Sequence, residues 1–364
     1  MSGGVDSSLA AALLAEQGYE VIGVTLQLWA ADCSTPSQDL FKCCGARAAA
    51  KARAVCEHLG IPFRLVDETE AFQQHVVQPF AAEYRAGRTP NPCIRCNEHL
   101  KFGALLRRAD QLGAAYVATG HYARVERRPD GRFLLRRGCD PAKDQSYALF
   151  SLRQEQLGRA LFPLGNQTKA QTREAARRRQ LGTADQAESM EICFVPDNDY
   201  RRFLLEAGLA AECPGQVVDL HGRVLGQHRG VAFYTIGQRR GLRIAAGQPL
   251  YVVDLDPLRN RVVVGDLQAL SRDRFTVAGC NWIPFDGPGG SFEATVKIRY
   301  NHAGAPATVT PLADARAEVV FHTPQRAVTP GQAAVFYQDD LVLGGGWIER
   351  DTRAPAPPPD AAAC

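Results

Sequence analysis

The sequence predicts an α/β domain with a parallel sheet, followed by a small β-rich central domain and a C-terminal β-barrel. Helical and strand patterns alternate up to about residue 125, which is typical of a parallel sheet covered by helices. After Pro214 the pattern changes to short strands and turns, which is typical of small all-β domains. The predicted domains are residues 1–208, 209–272 and 273–350, with a disordered, proline-rich tail at 351–364.

The spacing of apolar residues, together with glycine and proline positions, predicts each element in turn. In the first domain the predicted strands are 21–29, 63–66 and 116–119, and the predicted helices are one starting near Asp6, 46–59, 71–84, 99–112, 168–181 and 198–207. A hairpin is predicted around residues 129–131. Later strands are predicted at 217–219, 224–225, 251–255, 261–264, 293–298, 307–310, 317–321 and 333–337.

Composition narrows the class of protein. The 364 residues are 45% hydrophobic and 22% charged, as in ordinary globular proteins, and the net charge is only +3. A nucleic-acid partner therefore needs a local basic face, although any one arginine cluster is more often a solvated surface. The clusters are Arg127-Arg128, Arg136-Arg137, Arg177-Arg178-Arg179, Arg201-Arg202 and Arg239-Arg240. With no signal peptide and no long apolar run, we expect a cytoplasmic location and no membrane partner.

The first eight residues are the most informative part of the chain. They read Met1-Ser2-Gly3-Gly4-Val5-Asp6-Ser7-Ser8 and lead directly into a helical pattern. Glycines allow close approach to an anion, and a helix N-terminus offers unpaired N–H groups to a phosphate. The lysine of a Walker A loop is absent, so this is a different kind of phosphate loop. The alternative is an ordinary capped Gly-Ser turn.

The position of this loop is unusual. In nucleotide-binding α/β units the phosphate loop follows a buried strand, and here the loop is at residue 1. We expect a truncated or misassigned start, with the edges of neighbouring strands left exposed.

A second group of residues carries cysteines. Eleven cysteines without a secretory signal favour thiol, metal or redox chemistry over a disulfide framework. Cys93 and Cys96 form a C-x-x-C pair in a proline-rigidified loop, and Asn97 is expected to cap the following helix, whose dipole would favour their thiolates. No second C-x-x-C completes a four-cysteine zinc site, and adjacent Cys43-Cys44 is a weak metal signal. Cys56, Cys139, Cys213 and Cys280 are expected to be small hydrophobic residues without a chemical role, and Cys364 lies in the tail.

A third group consists of polar residues that are costly to bury without partners. The stretch from Ser189 to Phe194 contains Cys193, and residues 143–147 read Lys-Asp-Gln-Ser-Tyr. Residues 119–122, Thr-Gly-His-Tyr, end a predicted strand, where α/β sheets place their ligand sites.

Together these motifs resemble the tRNA-specific 2-thiouridylases, members of the PP-loop ATP pyrophosphatases with an adenine-nucleotide α-hydrolase fold. The resemblance covers nearly the whole chain. Its motifs are MSGGVDSS at 1–8, GRTPNPCIRCN at 87–97, TGHYAR at 119–124, KDQSY at 143–147, ICF at 192–194, TIGQRRGL at 235–242, KIRY at 297–300 and TPGQAAVFY at 329–337.

The resemblance implies ATP-dependent 2-thiolation of the wobble uridine of tRNA, a sulfurtransferase reaction. ATP with Mg²⁺ would bind Met1, Ser2, Gly3, Gly4, Val5, Asp6, Ser7, Ser8, Leu26 and Gly120. The uridine would be flipped out of its stack. The implied tRNA contacts are Asn91, Pro92, Cys93, Lys143, Asp144, Gln145, Arg299 and Tyr300.

The resemblance also implies how sulfur is delivered. Adenylation of the carbon-2 oxygen would make a good leaving group. Cys193 would carry a persulfide supplied by a sulfur-relay protein or a cysteine desulfurase, and its terminal sulfur would attack carbon 2. Cys96 would then release the sulfur and form a Cys96–Cys193 disulfide, which is reduced later.

The chain departs from one form of the family at Cys93, where an aspartate often stands. Cys93, Cys96 and Cys193 are therefore also candidate ligands for a [4Fe–4S] cluster with one open iron for hydrosulfide. The persulfide route needs only two of these cysteines, and the sequence leaves both routes open. Outside this family, the alternatives are another PP-loop amidotransferase or ligase, and a non-catalytic RNA-binding module.

Overall fold

The structure, a computed structural model, describes residues 1–29, 36–186, 192–195, 197–244 and 247–350, with only the backbone for 36–44. The side chains of Cys43 and Cys44, residues 189–191 and the tail at 351–364 lie outside this description. The chain divides into two compact units. The first comprises Met1–Val76, Cys93–Asp199 and Asp340–Val342, and the second comprises Val77–Pro92, Tyr200–Asp339 and the residues from Leu343 onward.

Helices occur mainly in the first unit. In the described part of the chain the α-helices are α1 (Val5–Glu16), α2 (Pro36–Leu59), α3 (Thr69–Phe72), α4 (Gln78–Arg85), α5 (Pro92–Arg95), α6 (Leu105–Gln111), α7 (Gln154–Leu157), α8 (Lys169–Arg178) and α9 (Tyr200–Glu206). Two π-helical segments, Gln73–Val77 and Cys96–Ala104, join α3 to α4 and α5 to α6. Short 3₁₀-helices are Ser146–Leu149, Val231–Phe233 and Gln268–Leu270.

Strands occur in both units. Those of the first unit are β1 (Gly23–Gln27), β2 (Phe63–Asp67), β3 (Val117–Ala118), β4 (Ala123–Arg127), β5 (Phe133–Arg137) and β6 (Ala160–Leu161). They are followed by β7 (Gly215–Val218), β8 (Val224–His228), β9 (Tyr251–Asp256), β10 (Arg261–Gly265), β11 (Ser271–Trp282), β12 (Phe292–Lys297), β13 (Ala305–Leu312), β14 (Arg316–Arg326), β15 (Ala333–Gln338) and β16 (Leu341–Ile348).

The first unit contains parallel strand pairs, as the alternating pattern predicts. β1 pairs with β2, and β3 pairs with β6, both in parallel. Among the described residues these pairs form two separate sheets. Met1 lies beside β1, where the Thr25 hydroxyl donates to the Met1 carbonyl oxygen at 2.9 Å. The expectation of a missing first strand stays a prediction.

The core of the first unit lies directly behind the start of α1. Val5 and Leu9 of α1 are buried against Val55 of α2 and Leu181, in a cluster that also contains Tyr122. Because α1 begins at the glycine-rich loop, this packing fixes the position of the loop.

The second unit contains an open four-stranded sheet and a closed barrel. The sheet has the order β8-β7-β10-β9, with β7 and β10 parallel and the other pairs antiparallel. In the barrel the order is β11-β14-β13-β12-β15-β16, and pairing of β11 with β16 closes it. Closure leaves no free strand edge in these six strands. The predicted fold class, including the C-terminal barrel, is confirmed.

Some predicted elements differ from the structure. The helix predicted at 71–84 is interrupted by the π-helical segment Gln73–Val77. β11 and β16 were not predicted, although both are long strands of the barrel. In the described part of the chain, no helix combines the length and the apolar character that crossing a membrane requires.

Replacing a core aromatic residue tests the barrel. Phe336 of β15 is fully buried, and its ring stacks on Trp282 with a centroid separation of 5.7 Å. We expect Phe336→Ala to lower the free energy of unfolding by about 3–5 kcal/mol. Leu312→Ala, at a 45% exposed position of the same barrel, should change it by less than about 0.5 kcal/mol. Urea unfolding followed by tryptophan fluorescence measures both, and equal effects would contradict the described core.

Candidate active site

The phosphate loop is formed by the first residues and the start of α1. Gly3 has a φ of +71°, and a Cβ there would lie 2.7 Å from the carbonyl oxygen of Ala48, so only glycine fits. Gly4 is the N-cap of α1, and its carbonyl oxygen accepts hydrogen bonds from the hydroxyls of Ser7 and Ser8, at 3.2 and 2.9 Å. Since the first N–H groups of a helix have no acceptor within it, this loop is shaped to bind an anion.

A partly buried ion pair lies on the same loop. The ammonium of Lys169 is 2.7 and 2.8 Å from the two carboxylate oxygens of Asp6. The Tyr122 hydroxyl lies 2.9 Å from Asp6 Oδ1 and 3.0 Å from the hydroxyl oxygen of Thr172. These contacts join the loop to α8 and to residues 119–122.

Gly120 brings a second backbone segment against the loop. A Cβ on Gly120 would lie 2.7 Å from the carbonyl carbon of Asp6 and 2.9 Å from the backbone nitrogen of Ser7. Real Cβ contacts are never this short, so a glycine is required here. Leu26, the other predicted nucleotide contact, is half-buried in β1.

The Lys-Asp-Gln motif at 143–145 is hydrogen-bonded to the turn formed by residues 119–122. Gln145 accepts a hydrogen bond from the backbone N–H of Tyr122 at 3.0 Å, and its own N–H donates to the Tyr122 carbonyl at 2.9 Å. The buried carboxylate of Asp144 accepts hydrogen bonds from Gly138 and Ser146. Asp144 therefore holds the loop in shape, while half-exposed Lys143 is the cation of the motif.

The three cysteines of interest all belong to the first unit. Burial among protein atoms raises the pKa of the Cys93 and Cys96 thiols. Burial, followed by the nearby Cys96 and Cys93 thiolates, raises the pKa of Cys193 to about 12. Because the thiols influence each other electrostatically, they lie close together. Cys93 and Cys193 are nevertheless exposed residues, so reagents from solvent can reach them.

Lys101 is the positive charge next to these thiols. Its charge lowers the pKa of Cys93, Cys96 and Cys193 and so opposes the larger effect of burial. Cys96 and Lys101 are five residues apart in the π-helical segment, whose i to i+5 hydrogen bonds make such residues neighbours. The π-helix therefore brings the ammonium to the thiols.

His121 positions Lys101. Its Nε2 lies 3.4 Å from the Lys101 ammonium and its Nδ1 lies 2.7 Å from the Thr119 hydroxyl oxygen. Burial, and secondarily the charge of Lys101, holds the pKa of His121 well below its usual range, so the ring is neutral. An ammonium group only donates, so Nε2 accepts and Nδ1–H donates to Thr119.

Two expectations about this segment were wrong. Asn97 does not cap a helix, because it is buried inside the helical run that begins at Pro92, and its side-chain N–H donates to the Ala148 carbonyl at 2.9 Å. The helix dipole was expected to favour the thiolates of Cys93 and Cys96, whereas burial outweighs it and favours the thiols.

The other predicted tRNA contacts belong to the second unit. Arg299 and Tyr300 follow β12 and are exposed. Asn91 is half-buried and Pro92 is buried. Their contacts with RNA stay a prediction.

Two lysines of the site, Lys101 and Lys169, were not predicted from the sequence. Lys169 is the first residue of α8, directly after its Thr168 cap, and this capping-box pattern was available in the sequence. The signal for Lys101 was weaker, because residues five apart lie about 140° apart around an α-helix.

Most arginine clusters contain at least one arginine that is paired with a carboxylate of its own unit. Ion pairs in the first unit include Arg128–Asp130, Arg136–Glu126, Arg177–Asp185, Arg178–Glu174 and Arg179–Glu16, and Arg202 is 3.9 Å from Glu206 in the second. For these clusters the interpretation as a solvated surface fits the structure better than a nucleic-acid face.

The fold and the site define a class of protein: a nucleotide-binding α/β domain with a glycine-rich phosphate loop and thiols, followed by two β-domains. Comparison with known families agrees. Residues 1–197 match the tRNA methyl transferase HUP domain, residues 201–266 the tRNA methyl transferase PRC-barrel domain, and residues 272–348 the aminomethyltransferase beta-barrel domain.

Curated relatives resemble the chain over nearly its whole length. The tRNA-specific 2-thiouridylase MnmA of Carboxydothermus hydrogenoformans is 51% identical over 96% of each chain. Those of Geobacter metallireducens and Moorella thermoacetica are each 52% identical over 96% of this chain, and over 95% and 98% of their own lengths. The chain belongs to the MnmA family of tRNA-specific 2-thiouridylases.

The close approach at Gly120 can be tested by adding one methyl group. Gly120→Ala places a Cβ against the backbone of Asp6 and Ser7, so we expect a loss of about 1–3 kcal/mol in the free energy of unfolding. Gly182→Ala is the control, because a Cβ there meets no atom within 4 Å. Urea unfolding compares the two variants. A Gly120→Ala variant as stable as the control would show that the loop and the turn are not in contact.

The role of Lys101 can be tested through thiol reactivity. Removing its charge removes the effect that lowers the thiol pKa values, so Lys101→Met should raise them further and slow alkylation of Cys93 and Cys193 by iodoacetamide between pH 7 and 9. The exposed lysine of α2, Lys51, supplies the control Lys51→Met. Peptide mass spectrometry gives the rate at each cysteine. Equal rates in both variants would contradict the assignment.

Proposed function

We propose that this chain is a tRNA-uridine 2-sulfurtransferase that uses ATP to thiolate the wobble uridine of tRNA at carbon 2. Family membership supports this reaction, since the curated relatives are named tRNA-specific 2-thiouridylases. The observation that carries it is the arrangement in the first unit. There, one turn at residues 119–122 contacts both the phosphate loop, through Gly120 and Tyr122, and Lys101 beside the thiols, through His121.

The first step uses the phosphate loop. The oxygen on carbon 2 of the flipped uridine attacks the α-phosphorus of ATP, and pyrophosphate leaves. The N–H groups at the start of α1 stabilise the phosphate charge. The uridine oxygen is then bonded to AMP, which is a good leaving group.

The second step uses the thiols. The terminal sulfur of a Cys193 persulfide bonds to carbon 2. Cys96 then attacks the Cys193 sulfur, the S–S bond to the uridine sulfur breaks, and AMP departs as the C=S bond forms. The enzyme keeps a Cys96–Cys193 disulfide, so a thiol reductant must supply two electrons before the next turnover. Lys101 stabilises the thiolates on which both sulfur steps depend.

The two inorganic groups that the resemblance implies fit the site differently. Mg²⁺ bound to ATP takes most of its ligands from phosphates and water, so it would need little from the loop, whose carboxylate, Asp6, is already paired with Lys169. An iron–sulfur cluster needs thiolates aimed at a common centre. Among the described residues, Cys93, Cys96 and Cys193 included, no group of three Cys, His, Asp or Glu side chains is arranged to hold a metal. We propose the persulfide route because it needs only Cys96 and Cys193, and the [4Fe–4S] route is the alternative to be tested.

The proposed reaction requires a partner that donates sulfur. The persulfide has to come from a sulfur-relay protein or a cysteine desulfurase, and the solvent-accessible Cys193 can receive it. We place the reaction in the cytoplasm, where ATP and tRNA are available, and propose the domain limits 1–208, 209–272 and 273–350. Asn91, Pro92, Cys93, Lys143, Asp144, Gln145, Arg299 and Tyr300 are proposed as the tRNA-contacting set.

Serine substitutions test the two cysteines. Cys96→Ser and Cys193→Ser should each lower the rate of tRNA thiolation by a factor on the order of 10³ or more, because each removes a nucleophile. Cys139→Ser, at an exposed cysteine of the same unit, should leave the rate unchanged. Nucleoside mass spectrometry of the tRNA gives the rates. Undiminished thiolation in Cys96→Ser or Cys193→Ser would contradict the sulfur route.

Two further measurements separate the alternative functions. The wild-type chain should release AMP and pyrophosphate with tRNA and ATP, whereas a binding module would release neither. An amidotransferase or ligase would release them without any need for Cys96 and Cys193. Iron and sulfide analysis after anaerobic purification addresses the cluster: an iron-free, colourless and fully active enzyme eliminates it.

A further inference from the structure

The ion pair between Lys169 and Asp6 is unusual for its place in the fold. Long lysine side chains ordinarily extend their charge into water. The Lys169 side chain is instead 11% exposed and places its ammonium 2.7 and 2.8 Å from both oxygens of Asp6, in the first turn of α1. Burying a charge costs free energy that a neighbouring carboxylate only partly restores, so stability alone does not explain the pair.

The lysine is held in place at both ends. Its backbone N–H donates to Asp140 at 2.9 Å, at the capped start of α8. Its ammonium is bound by Asp6 and lies 5.7 Å from the centre of the Tyr122 ring. The Asp6 side chain is more accessible, at 34% exposure. The pair therefore presents a positive group, already positioned, at the side of the phosphate loop.

The negative charge of Asp6 bears on how the loop could bind ATP. Asp6 alone would place a negative carboxylate in the loop proposed to receive the polyphosphate of ATP and would repel it. With Lys169 bound, that charge is neutralised. The ammonium has three donors and can remain near Asp6 while it turns one toward a phosphate oxygen.

We propose that Lys169 is a phosphate-binding residue of this site: its ammonium, held by Asp6 in the free chain, binds the phosphates of ATP when the nucleotide enters. This inference rests on the proposed use of ATP and adds a second element, α8, to the loop that binds it. Walker A loops contain a phosphate-binding lysine within the loop itself. Here the corresponding lysine lies 163 residues after Asp6 in the chain.

The competing explanation is that Lys169 only neutralises Asp6. Four proteins distinguish this explanation from phosphate binding by Lys169: wild type, Lys169→Met, Asp6→Asn and the double variant Asp6→Asn/Lys169→Met. Neither Asp6→Asn nor the double variant has a carboxylate at position 6 to neutralise. A difference in ATP affinity between these two proteins therefore reports contact between Lys169 and the ligand. Equilibrium dialysis with ATP, and separately with adenosine, gives the dissociation constants.

We expect Lys169→Met to weaken ATP binding by about 10- to 100-fold in both backgrounds, the usual cost of a lost charged hydrogen bond. Adenosine binding should stay the same, because adenosine has no phosphates. Lys169→Arg should recover part of the ATP affinity. If Lys169→Met has no effect on ATP in the Asp6→Asn background, or weakens adenosine as much as ATP, the inference is wrong and the lysine is structural.

Failure of the inference is distinguishable from failure of the proposed function. A wild-type chain that neither binds ATP nor releases AMP would overturn both. A wild-type chain that binds ATP and thiolates tRNA, while the Lys169→Met variant binds ATP equally well, would overturn only the role of Lys169.

Discussion

The site depends on one close contact, the packing of the Gly120 backbone against Asp6 and Ser7. Because no side chain separates them, the turn at 119–122 and the phosphate loop act as one surface. His121 of this turn contacts Lys101, and Tyr122 contacts both Asp6 and the 143–145 loop. A shift of the turn would thus disturb the nucleotide loop and the cation beside the thiols at once, which suits a reaction whose two steps share one uridine.

Two opposing effects set the chemistry of the cysteines. Burial raises their pKa values, most for Cys193, while Lys101 lowers them. A thiol is a poor nucleophile until it loses its proton. A fixed ammonium held by a neutral histidine lowers the cost of that step without forming a permanent ion pair.

The sequence was sufficient to predict the features that depend on local residue chemistry. The glycines of the phosphate loop, the hairpin of β4 and β5 and the parallel β1–β2 pair follow from spacing and turn residues. It was insufficient where tertiary packing decides. A π-helix cannot be recognised from α-helical periodicity, so the approach of Lys101 to Cys96 was invisible. Asn97 carries a good capping side chain but is used inside a helix, where the Ala148 carbonyl binds it.

The distribution of charge distinguishes two lysines of the site from the arginines on the surface. The net charge is only +3, and many arginines of the first unit are paired with carboxylates on its surface, where their fields largely cancel. Lys101 and Lys169 lie instead in sheltered positions, where a charge acts more strongly. One is directed at thiols and the other at the phosphate loop. A protein that has to stabilise phosphates and thiolates at one uridine needs few cations, provided that neighbouring side chains hold each in place, as His121 and Asp6 do.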